Sequence, residues 1–132
     1  MGVKPELAFD VCWDVYRSAR EVLEAKRGLS AINAKDMAKF LWRPDIRPRL
    51  TEFVADFTLA CQAALDAPDH ASRMVLFRLY YLGLLPYENT RHYLGLTEYT
   101  WVNWTEDIRR RCGKELLERR MFPPRKYFRN AG

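Results

Sequence analysis

The sequence predicts an all-α protein, a helical bundle of about six helices, on three observations. Apolar residues recur at steps of three and four along most of the 132 residues, which is the period of a half-buried helix. No alternating apolar–polar run of useful length occurs, and the Asn-Gly and Asp-Gly hairpin signals are absent. Prolines, glycines and capping residues punctuate the periodic runs. With 48% hydrophobic and 14% aromatic residues, a chain of this length can bury a sizeable core as one domain.

Pro5 to Lys26 reads as the first helix. Leu7, Val11, Val15, Ala19 and Val22 form its apolar stripe, widened by Ala8, Cys12 and Leu23. Pro5 suits a first turn, and Gly28 the position just past the end. Arg17 and Glu21, and Arg20 and Glu24, are four apart, where opposite charges pair along a helix. Asn33 caps a second, short helix with Met37, Phe40 and Leu41 on its apolar face. Pro44 stops that helix near Trp42 or Arg43, because the residue before a proline avoids the α conformation.

A third helix starts at Pro48 and ends before Pro68. Leu50, Phe53, Val54, Phe57, Cys61, Ala64 and Leu65 give it one broad buried face. Asp69 is the expected cap of a fourth helix, Ala71 to Gly83. That helix is apolar at Val75, Leu76, Leu79, Tyr80 and Leu82, and again at Phe77 and Tyr81. A helix apolar nearly all round belongs in the middle of a bundle.

A fifth, short helix fits Tyr87 to Leu94. Gly95-Leu96-Thr97 then makes a tight break, and a sixth helix runs to about Arg120. Thr97 is a natural N-cap, since its hydroxyl can accept from a free backbone N–H of the first turn. Two helices joined by a short turn containing Gly form a helix-turn-helix, whose second helix can lie in a DNA major groove.

The run Leu94-Gly95-Leu96-Thr97-Glu98-Tyr99-Thr100-Trp101 resembles the turn and recognition-helix start of the sigma-70 region 4 group of bacterial transcription factors. Leu79, Leu82, Leu85, Tyr87 and Glu88 match its upstream spacing. The resemblance covers the last half of the chain. Three positions depart from the pattern: Arg91 replaces a small residue, Pro86 a Ser or Thr cap, and Tyr99 a Gly or small residue. The resemblance implies a cytoplasmic DNA-binding transcription regulator, though not a complete sigma factor, because nothing resembles the promoter-melting region. Region 4 of that group also contacts RNA polymerase and anti-sigma proteins. The resemblance therefore also implies an alternative, a protein-interaction module whose helix-turn-helix no longer reads DNA. Residues 1–68 are then a three-helix segment that docks on the unit or mediates homodimerisation. Residues 69–120 hold the unit and 121–132 a basic aromatic tail, all in one compact domain.

If Trp101, Trp104, Ile108, Cys112 and Leu116 face the core, rotation by about 100° per residue places Tyr99, Val102, Asn103, Glu106 and Arg110 outward. Tyr99, Val102, Asn103 and Glu106 are the candidates for contact with base edges. Asn103 can bond adenine in two places, and Glu106 can accept from the cytosine amino group. Arg91, His92, Arg109, Arg110, Arg111 and Lys114 are the candidates for phosphate. Glu106 and Asp107 set two like charges towards a polyanion and oppose that interaction.

Charge supports an anionic partner at the C-terminal end. Residues 1–66 hold 10 Lys/Arg and 10 Asp/Glu, whereas residues 67–132 hold 12 and 7. Residues 109–129 alone hold 9 basic and 2 acidic residues. In the tail, Phe122, Tyr127 and Phe128 either fold back onto the core or present aromatics between Arg125, Lys126 and Arg129 to nucleic acid or a protein groove.

Other chemistries find little footing. Cys12, Cys61 and Cys112 are far apart, lack C-x-x-C spacing and sit among apolar residues, as buried free thiols do. His70 and His92 are the only histidines and have no metal-ligand spacing. Nucleophile-elbow, P-loop and dinucleotide motifs are absent, so neither an enzyme nor a cofactor is expected. Lys4, Glu6, Asp10 and Asp14 interrupt any secretory segment, and Glu6 breaks the myristoylation pattern. No apolar stretch approaches the ~20 residues that span a bilayer, and a cytoplasmic protein is expected.

Overall fold

The computed structural model describes residues 2–30 and 47–127. Among them the chain is all-helical, with no strand. Five α-helices follow in order: α1 Pro5–Ser30, α2 Arg47–Ala64, α3 Ala71–Leu76, α4 Tyr87–Leu94 and α5 Glu98–Glu118. α3 continues directly into a wider π-helical stretch, Phe77–Leu82, and short 3-10 turns lie at Pro68–His70 and Pro124–Tyr127. The expected short helix from Asn33 to Trp42 lies outside the described residues.

The three long helices α1, α2 and α5 pack on one another, and Leu76, Phe77 and Tyr81 add to the core they share. α2 buries Leu50, Phe53, Phe57, Cys61 and Leu65, with Val54 and Ala64 at the margin, as the periodicity predicts. α1 differs. Its interior row is Ala8, Phe9, Cys12, Tyr16 and Ala19, while Leu7 is 53% exposed and Val11 and Val15 are half-buried. The reason is size. An aromatic ring removes far more apolar surface from water than a valine does, so Phe9 and Tyr16 set the rotation of the helix. Tyr16 stacks on Phe57 at 5.0 Å, and Phe9 meets Tyr81 edge-on at 5.0 Å.

α1 also closes the end of the Phe77–Leu82 stretch that continues α3. A helix terminus leaves carbonyls without partners, and side chains must satisfy them. Trp13 Nε1 donates to the Tyr81 carbonyl at 2.9 Å. Tyr16 Oη and Arg20 Nη1 both donate to the Leu82 carbonyl at 2.8 Å. Arg20 pairs with Glu24 as its spacing predicts, but Arg17 pairs with Asp14 rather than Glu21. α1 runs past the expected end, through Gly28 to Ser30. Glycine weakens a helix interior by only about 1 kcal/mol and need not stop one.

Two further expectations shift at α3. Asp69 does not cap it, because the Pro68–His70 turn puts His70 in the position before Ala71. Val75 is exposed rather than core, and Leu76, Phe77 and Tyr81 are the residues fully inside. The π stretch brings Phe77 and Tyr81 to the same side, with ring centroids 5.9 Å apart. The tail folds back as far as Tyr127. Met121 and Tyr127 are buried, Tyr127 meets Phe53 edge-on at 4.9 Å, and its hydroxyl donates to Asp56 at 2.7 Å. Phe128 lies outside the described residues.

α5 passes α1 at one very close point. A Cβ placed on Gly113 would collide with the backbone of Pro5, including its Cα at 2.9 Å. Backbone on that side cannot yield as a flexible side chain would. Gly113→Ala should therefore destabilise the fold by about 2 kcal/mol or more, measured by urea unfolding; an unchanged midpoint would contradict the packing.

All three cysteines are free and buried. Burial pushes the Cys12 thiol up to about 12. Burial, with a hydrogen bond from Cys112 second, raises Cys61 well above its ordinary value. Only thiolate reacts readily. Alkylation at pH 8 should therefore be at least ~100-fold slower in the native protein than in urea, as mass spectrometry over time would show.

Candidate functional site

α4 and α5 meet at residues 95–97. Gly95 adopts a left-handed conformation, φ 66°, which a residue with a Cβ enters only at a cost. The Gly95 N–H donates to the His92 carbonyl and the Leu96 N–H to the Arg91 carbonyl, both at 3.1 Å. That pair of bonds closes the end of α4. Thr97 then caps α5, its hydroxyl accepting from the Thr100 N–H at 3.1 Å, as its position predicts. Trp101 seats the first turns in the core, edge-on to both Tyr80 and Tyr87 at 5.0 Å.

The inward row of α5 is Trp101, Ile108, Cys112 and Leu116, with Gly113 beside them. Trp104 is only half-buried and lies under the Arg73 guanidinium, 5.3 Å from its ring centre. The opposite face places Tyr99, Val102, Asn103, Glu106 and Arg110 in solvent, as the rotation argument predicts. Tyr99 is 77% exposed, and Tyr93 on α4 is 79% exposed.

The cations anticipated for phosphate do not form one free surface. Arg109 turns to α1 and grips both carboxylate oxygens of Asp10, at 2.8 and 2.7 Å. The hydrogen bonds to Asp10 hold the Arg109 pKa above its ordinary value. Arg91 lies across the turn, with Nη1 donating to the Leu96 carbonyl at 3.0 Å and Nη2 3.4 Å from Glu88. This accommodates its bulk beside the turn. His92 is exposed, 3.4 Å from the same Glu88. Lys114 is exposed and has no ion pair among the described residues.

Arg110 and Arg111 both reach Asp107, and so does Arg73 from α3, its Nε 3.0 Å away. Asp107 is therefore not a second outward carboxylate beside Glu106: its side chain is 13% exposed and ringed by guanidinium groups. Its links to Arg110 and Arg111 were implicit in the three- and four-residue spacing. Arg73 and Asp10 had no local signal, because their partners lie far along the chain. Residues 84–107 hold four Asp/Glu and one Arg, so the front of the two-helix unit is acidic and the basic excess begins only at Arg109.

Among the described residues, no group of three His, Cys, Asp or Glu is placed to hold a metal ion. No helix among them is long and apolar enough to cross a membrane. Comparison with protein-family models, curated proteins and solved structures finds no match.

The Thr97 cap joins the turn to α5. Thr97→Ala should cost about 1 kcal/mol of unfolding free energy, and Thr97→Ser should restore most of it. Equal stability of all three proteins would show that the cap contributes nothing.

Proposed function

We propose that α4 and α5 form a sigma-70 region 4-like helix-turn-helix and that the protein is a DNA-binding transcription regulator. One observation supports this most strongly: a capped helix anchored on one side by Trp101 and Ile108 leaves its first three turns bare on the other. A helix entering a major groove needs that free face, and its early residues meet base edges. Tyr99, Val102, Asn103 and Glu106 occupy it. Arg110 and Lys114 follow one and two turns later on the same side, where phosphate would lie.

A second reading rests on the charge and polarity of that front. Tyr93, Tyr99 and Val102 are exposed apolar surface beside Glu98 and Glu106. Such a surface suits a protein partner carrying basic residues, such as a subunit of RNA polymerase, and disfavours a polyanion. On this reading the unit keeps the helix-turn-helix shape but does not read DNA.

A salt titration of duplex binding separates the two. With Arg91 and Arg109 turned inward, Lys114 and the exposed Arg110 and Arg111, which share Asp107, remain, and about three neutralised phosphates give a log–log slope near −2.7. Arg110→Glu should abolish binding, and Asn103→Ala should relax sequence preference by about 1–3 kcal/mol. A flat slope, with a protein retained on an Arg110→Glu column as on wild type, would replace the regulator with the docking module.

A further inference from the structure

The convergence on Asp107 has no counterpart elsewhere among the described residues. One half-buried carboxylate gathers Arg73, Arg110 and Arg111 from two helices. Arg110 Nη2 and Arg111 Nε donate to it, whereas Arg73 Nε lies 3.0 Å away as an ion pair without a hydrogen bond. Both terminal nitrogens of Arg73 and of Arg111 are left without a partner among the described residues. Three cations against one anion repel one another, and stability gives little reason to assemble them, since surface ion pairs contribute at most about 1 kcal/mol.

The cluster is also built, not merely crowded. Arg73 is laid on the Trp104 ring, 5.3 Å from its centre, which fixes the plane of its fork. His70 stands behind it with its side chain 9% exposed and Nε2 3.8 Å from Asp107. Neither ring nitrogen of His70 has a hydrogen bond, although Nδ1 lies 3.0 Å from Asp69. Arg111 continues into a hollow of about 220 Å³ lined by Ala64, Lys114, Glu115 and Glu118. Glu115 there is already paired with Arg119.

We propose that Arg73, Arg110 and Arg111, held by Asp107, form a binding site for a phosphate group. Asp107 acts as the positioning residue: it draws the three guanidinium groups together while the Arg73, Arg110 and Arg111 side chains stay 27%, 52% and 42% exposed. Paired guanidinium forks match the oxygens of a phosphate, and such charge-assisted bonds are strong and directional. A nucleic-acid backbone and free inorganic phosphate present the same recognition chemistry, and the two probes below distinguish them. The site does not depend on base reading by α5.

Two probes on the full chain test it: inorganic phosphate, followed by 31P line broadening, and a short duplex, followed by fluorescence anisotropy. Arg73→Gln should weaken at least one of them by about tenfold or more. Arg17→Gln, which removes the same charge from α1, should leave both unchanged. Arg111→Gln serves as a second variant should Arg73→Gln fail to fold by circular dichroism. Phosphate binding that depends on Arg73 without any duplex binding keeps the site and removes the DNA proposal. Duplex binding that depends on Arg73 identifies the backbone as the source. Binding of neither probe, or equal losses in Arg73→Gln and Arg17→Gln, overturns the site.

Discussion

Gly113 against Pro5 is the contact that fixes what α5 can show. The two backbones meet so closely that no side chain fits between them. Once that point is set, a rigid helix has one remaining freedom, rotation about its axis. Trp101 at one end and Leu116 at the other remove it by entering the core. The outward row from Tyr99 to Arg110 is therefore a consequence of packing between two segments from opposite ends of the chain. A change at Pro5 or Gly113 would tilt that row without touching it, as close packing transmits strain rather than absorbing it.

α1 carries a second constraint that the first requires. Its polar side chains Trp13, Tyr16 and Arg20 satisfy the carbonyls where the Phe77–Leu82 stretch ends. The same helix therefore presses α5 from one side and holds the end of that stretch on another. In the second duty Trp13 and Tyr16 lie beside the apolar stripe that the period marks out. An aromatic ring with a polar tip suits that edge, since its body is buried while its hydroxyl or N–H reaches a partner.

This explains which parts of the structure were legible in the sequence. Local rules located the α4–α5 turn, because Gly95 and Thr97 act through bonds within five residues. They also located the buried side of α2 and of α5. They misplaced the stripe of α1, where Leu7, Val11 and Val15 fit the period but Phe9 and Tyr16 bury more surface. Of the candidate site, the exposed face was legible and the state of the arginines was not. Arg109 is claimed by Asp10, a residue 99 positions away, and nothing near Arg109 announces it. Arg73 was invisible for the same reason. Charge counted along the chain measures supply, whereas the fold decides which charges remain to be offered.

That distinction bears on how any polyanion could approach. Along α5 the sign of the outward charge changes: Glu98 and Glu106 come first, Arg110 and Lys114 after them. A duplex laid along the whole helix would meet repulsion at the front and attraction behind. One pivoted about the Arg73, Arg110 and Arg111 cluster would bring phosphate to the attractive end first. Its grooves would then reach Asn103 only if Glu106 found a donor, such as a cytosine amino group, to offset its charge. A carboxylate in that position costs affinity against every sequence and regains it against a few, which is discrimination by penalty rather than by attraction. An acidic front and a basic rear are thus compatible with one ligand, provided the rear binds any phosphate and the front rejects most bases.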